Sequence, residues 1–108
     1  FIEMECFTYN TIIMKKIENL KAGDYIAFGF HYNGGEPNEI MVSNITSVSD
    51  YGILVHFMYG HHSLVEYIKK ENIIAIGNTE GKSKINGWNG NFDVVNPKHK
   101  LINEITNI

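Results

Sequence analysis

Apolar residues in this chain come in short runs, broken by Gly, Asn, Asp, Ser or Lys before a helical period can establish itself. That spacing restricts the chain to strands and turns. Thr11-Ile12-Ile13-Met14 and Tyr25-Ile26-Ala27-Phe28 are β-rich, with the polar turn Leu20-Lys21-Ala22-Gly23-Asp24 between them. Asn33 to Asn38 is a loop by composition. Ile40 through Val48 alternates apolar and polar residues, and Asp50-Tyr51-Gly52 turns the chain into Ile53 to Phe57. Gly60-His61-His62-Ser63 makes a further turn before Leu64 to Ile68. Lys69 to Asn72 is the best place for one helical or 3₁₀ turn, and Ile73 to Ile76 follows as a strand. The Gly-, Asn- and Lys-rich stretch from Thr79 to Asn91 reads as an exposed loop. Phe92 to Val95 and Leu101 to Ile108 read as closing strands. The expectation is a compact all-β domain of about ten short strands.

At 108 residues the chain has the size of one domain, and 44% hydrophobic against 19% charged residues provides for a core. The net charge is -3 and every cation is Lys, so the arginine fork used on phosphate and guanine is missing and no nucleic-acid partner is expected. No apolar run approaches the roughly 20 residues that span a bilayer, so no membrane partner is expected. Cys6 is the single cysteine. With no internal disulfide, a reducing, cytoplasmic setting is expected.

Taken singly, the chemically capable residues are unremarkable. A lone Cys6 behaves by default as a small hydrophobe. Adjacent His61 and His62 would point to opposite faces of a strand, and no cysteine or acidic pair stands at zinc spacing, so no metal and no cofactor are expected. The glycines do not precede a helix in the manner of a phosphate loop. Trp88, Phe92 and Tyr67 read as packing residues.

Their order along the chain carries more. Cys6-Phe7-Thr8-Tyr9-Asn10-Thr11 resembles the opening of an intein, and Ile17-Glu18-Asn19-Leu20-Lys21-Ala22-Gly23-Asp24-Tyr25-Ile26 resembles the Ile-x-x-Leu-x-x-Gly-Asp-x-Val run that follows it. His62-Ser63-Leu64-Val65, with Tyr67-Ile68 and Ile74 to Asn78, is similar to the middle block of that family; Phe92-Asp93-Val94-Val95 and His99-Lys100-Leu101-Ile102 are similar to its late block. The chain thus resembles a Hint (hedgehog–intein) domain, minimal or split, over nearly its whole length. It departs from the family in having Tyr59 where a Thr usually precedes the histidine, and in lacking the closing His-Asn pair; Asn107 is followed by Ile108.

The resemblance implies a two-lobed horseshoe over residues 6–108, with residues 1–5 a remnant of a host protein, and a self-processing, single-turnover activity. Cys6 would attack the carbonyl carbon of Glu5 and convert that peptide bond to a thioester, while His62 protonates the departing nitrogen. Asp93 would tune the thiol and pass on the acyl group, His99 would assist at the far junction, and Thr11, His61 and Tyr59 would support them. The implied partners are flanking host-protein segments and a short complementary C-terminal fragment.

The alternative is a non-catalytic SH3-like small barrel of phage or bacterial type, translated from Met14. Leu20 to Ile26, two long strands, a third at Leu64 to Ile68, a 3₁₀ turn at Lys70-Glu71-Asn72 and a last strand at Ile73 to Ile76 follow that order. Tyr25, Tyr32, Tyr59 and Trp88 would line one groove for a peptide or nucleotide-like ligand. The resemblance to inteins makes its own prediction. In a fusion behind a small carrier, dithiothreitol should release carrier ending at Glu5, and Cys6→Ala should abolish that release, both read by intact mass.

Overall fold

A computed structural model describes residues 17–77, 83–85 and 88–107. Glu5, Cys6 and Thr11, and the strand expected at Thr11 to Met14, lie outside the described residues. The fold is all-β, as the short runs require. Five strands follow in order: β1 (Tyr25–Phe30), β2 (Glu39–Ser49), β3 (Gly52–Tyr59), β4 (His62–Ile68) and, after a 3₁₀ turn at Lys70–Asn72, β5 (Ile73–Gly77). Then come β6 (Ser83–Ile85), β7 (Trp88–Gly90), β8 (Phe92–Val94), a second 3₁₀ turn at Ile102–Glu104 and β9 (Thr106–Asn107). One sheet runs β4-β3-β2-β1-β5-β8 and a second runs β7-β6-β9.

The connection between β4 and β5 dictates the shape. In a flat sheet those two strands, four places apart, would stand about 19 Å from each other. A single 3₁₀ turn of three residues joins them, rising only about 2 Å per residue. The sheet therefore curls on itself. Ile26, Phe28 and Phe30 of β1, Ile45 of β2, Ile53, Val55 and Phe57 of β3, Ile68 of β4 and Ile73 of β5 accordingly meet in one buried cluster. Strands β1 to β5, with the 3₁₀ turn in place, follow the order set out for the small-barrel alternative.

Two bulges make the curl possible. Ile45 pairs with Val55, but Ser47 pairs with Leu54, so Thr46 is an extra residue where β2 passes from β1's side to β3's. On β5 the register slips between Ala27 and Phe28 of β1, which lets Ile76 face Ile26 and Ile73 face Phe28. Ile73 and Ile76 can then both serve the inner face of the curled sheet, while Ile74 and Ala75 turn outward. Ser43 is the one buried polar side chain on the inner face among the described residues, and its hydroxyl donates to the carbonyl of Asn44 at 3.0 Å, with that of His56 at 3.3 Å. A buried hydroxyl without such an acceptor would be costly.

The outward side of β1 is also covered. Ala27, Ile40, Ile74, Ala75, Ile85 and Phe92 form a second buried cluster, flanked by Val42, Leu101, Ile102 and Ile105. This corrects two expectations. The stretch from Thr79 to Asn91 is no plain exposed loop: it holds β6 and β7, because Ile85 is needed in the second core, where it is 1% exposed. The segment from Leu101 onward is not a continuous strand either. Leu101, Ile102 and Ile105 stand at the three- and four-residue spacing of a helical turn, and a 3₁₀ turn is how they reach the same cluster.

Ile85→Ala is expected to lower unfolding free energy by about 2–5 kcal/mol, the usual cost of emptying a buried isoleucine site. Urea denaturation would check it; a change within about 0.5 kcal/mol is what a loop residue would give.

Candidate functional site

The inner face of the curled sheet ends in a chain of aromatic rings. Fully buried Phe28 meets Phe57 edge-on at 5.4 Å, Phe57 meets Phe30 at 5.1 Å, and Phe30 meets Tyr59 at 5.6 Å. Tyr59 then stacks on Tyr32 at 5.0 Å and 20°, and Tyr32 lies 6.1 Å from the His62 ring. The series continues the even-numbered positions of β1 out to solvent. Tyr59 and His62 are cross-strand partners closing the β3–β4 hairpin, with Gly60 at φ 62° in the turn. The Tyr59 hydroxyl donates to the Glu39 carboxylate, and this bond, then burial and the negative charge of Glu39, hold its pKa above the ordinary phenol value.

Beside these rings lies a cleft of about 330 Å³. One wall is the β1–β2 loop, with His31, Tyr32, Gly34, Gly35 and Pro37; the other is the end of β4 and the 3₁₀ turn, with Glu66, Lys69, Glu71 and Asn72. Backbone and side chain shape the loop together: His31 Nδ1 accepts from the Asn33 N–H at 3.0 Å, the His31 carbonyl accepts from Gly34, and Gly34 takes φ 80°. Glu66 breaks the strand pattern. It stands opposite buried Val55, between the inward positions Leu64 and Ile68, where alternation calls for an apolar side chain. Sequence reasoning passed over it, although a charge in register with apolar neighbours two residues either side was visible.

A second aromatic pair lies elsewhere. Tyr25 and Trp88 approach at 5.0 Å and 37°, lining a cavity of about 290 Å³ with Gly77, Gly90, Asn91 and Phe92. The single groove expected from Tyr25, Tyr32, Tyr59 and Trp88 is therefore two sites. Tyr25 opens β1 while Tyr32 lies in the loop beyond its far end, so one ring meets Trp88 and the other Tyr59.

The residues expected to serve the two junctions sit in three neighbourhoods. His62 belongs to the Tyr32 cluster, and His61 is an exposed turn residue beside it. Asp93 pairs with Ile76 and lines a cavity of about 260 Å³ with Asn19, Leu20 and Asp24, near the start of β1. His99 lies against Gly29, near the other end of β1. Burial, then the positive charge of Lys100, lowers the His99 pKa below 6.5, and its Nδ1 accepts from the Leu101 N–H at 3.1 Å. Among the described residues no group of three His, Cys, Asp or Glu is placed to hold a metal ion, and no helix is long and apolar enough to cross a membrane.

Set against family models, curated proteins and solved structures, the chain matches none.

Gly90 has no space for a side chain, because a Cβ there would meet the Trp88 indole nitrogen. Gly90→Ala is therefore expected to push Trp88 off Tyr25, and since Trp88 is the single tryptophan, its emission should move to the red.

Proposed function

We propose that this chain is a non-catalytic binding module that receives an extended, lysine- or arginine-bearing peptide in the cleft between the β1–β2 loop and the 3₁₀ turn. The observation that carries this reading is Glu66, an exposed carboxylate at an inward-register position of β4, which lines one cleft with Tyr32, the outer ring of the stacked pair. Such a departure from strand alternation has a use at a binding site and none in a core. The lining charges, Glu66 and Glu71 against Lys69, favour a cationic ligand over a phosphate. Tyr32 and Pro37 offer rigid apolar surface, which suits a segment already extended in the polyproline II conformation.

The second reading, self-processing at Glu5–Cys6 by a Hint-type domain, is supported by the order of its four motif blocks along the sequence. It assigns His62 and Asp93 to the Glu5–Cys6 junction and His99 to the far one, and the aromatic cleft is not built around those roles.

The test is a ¹⁵N spectrum of the protein titrated with a short proline-rich peptide carrying lysines, and with its glutamate counterpart. The lysine peptide should shift amides of Tyr32, Gly34, Glu66 and Asn72 while the glutamate peptide does not. Tyr32→Ala should weaken binding about tenfold, the loss expected of one aromatic anchor. Shifts centred on Trp88, or none with either peptide, would overturn the assignment.

A further inference from the structure

Both walls of the cleft are tied to one short segment, residues 96–100, that follows β8. Asn96 Nδ2 donates to the Glu71 carbonyl at 3.0 Å, which holds the 3₁₀-turn wall. Lys100 Nζ donates to Glu36 Oε2 at 3.1 Å, which reaches the loop wall. Between them the His99 ring rests on Gly29, its Cε1 and Nε2 3.0 and 3.1 Å from where a Cβ would stand, with Pro37 at 2.8 Å from the same point. The segment itself is anchored to the barrel by the Val95 and Asn96 N–H groups, both donating to the Ile74 carbonyl. The exposed Lys100–Glu36 pair contributes little alone, and beside it the His99 ring and Pro37 of the loop close over the same point of Gly29.

We infer that residues 96–100 form a strap that holds the two walls of the cleft together, and that protonation of His99 releases it. The inference rests on the peptide-cleft reading for its purpose, and on the strap contacts alone for its mechanism. Because Nδ1 accepts from the Leu101 N–H, the neutral ring carries its proton on Nε2. A second proton must go onto Nδ1, which turns that acceptor into a donor facing another donor. The bond at the entrance to the second 3₁₀ turn is lost, and a cation appears beside Lys100.

The groups around the ring do not offset this. From β1 the facing residue is uncharged Gly29, set between Phe28 and Phe30. From the loop come Pro37, Glu36 with its carboxylate already held by Lys100, and His31, which is turned toward Gly35. The strap's own side adds Lys98 and Lys100, and the following 3₁₀ turn carries Glu104. Glu36 would have to give up Lys100 to draw the imidazolium.

Since the folded-state pKa of His99 is lowered, the strap's contribution is full above the ordinary histidine value of 6.5 and is lost as pH falls through the lower folded value. The experiment uses the free protein. Between about pH 8 and pH 5 the Gly29 and Leu101 amide resonances should titrate together with the His99 ring, and Leu101 exchange protection, corrected for intrinsic rate, should fall about tenfold. His99→Gln should remove the transition. Peptide affinity should fall over the same range in the wild type and stay flat in His99→Gln. A His99 titration that leaves Leu101 protection unchanged would overturn the strap. Failure of every peptide to bind, with the amide transition intact, would instead overturn the peptide reading and leave the strap standing.

Discussion

Strand β1 carries a core on each of its faces, and the remaining structure is arranged to supply both. Ile26, Phe28 and Phe30 face the barrel interior while Ala27 and Gly29 face β8 and the tail, so no part of the strand beyond Tyr25 is left for water. A strand of this kind must be paired on both edges as well, because its peptide groups have no solvent to turn to. β2 and β5 provide that pairing, and each needs a bulge to do so while still meeting its own partners. The small size of Ala27 and Gly29 is part of the same arrangement: it lets the second layer of chain come close.

Much of this was legible in the sequence because it is local. Apolar alternation placed β1 to β5 to within a few residues, and Lys-Glu-Asn between two strands was enough to place the 3₁₀ turn. What was not legible depends on long-range partners. Ile85 lies in a polar, glycine-rich stretch with no period of its own, and only the uncovered outer face of β1 and β5 draws it in. Leu101, Ile102 and Ile105 read as strand residues until the surface they cover is known.

The candidate site divides in the same way. Tyr25, Tyr32, Tyr59 and Trp88 were expected to line one groove, yet their rings meet as two separate pairs at opposite ends of β1. Glu66 was overlooked because a charge near the end of an exposed strand is ordinary; it gains meaning only once Val55 is seen opposite it. His99 was picked out for a chemical role at a distant junction, while its neighbours are Gly29, Pro37 and the Leu101 amide. Motif order says which residues could share a task, but register and parity decide which of them share a space.

The inward carboxylate of Glu66 has a consequence apart from any ligand. Among the described residues β4 ends the strand order, so its outer backbone groups form an edge on which another chain's strand could add. Val65 and Tyr67 on the outer face would welcome such an addition. A strand laid along β4, however, would continue the sheet past Glu66 and cover a carboxylate that now opens to solvent, in a cleft where Glu66 and Glu71 outnumber Lys69. The edge is thereby kept from templating growth, and the chain gains a measure of protection against aggregation from a residue its core pattern would have made apolar.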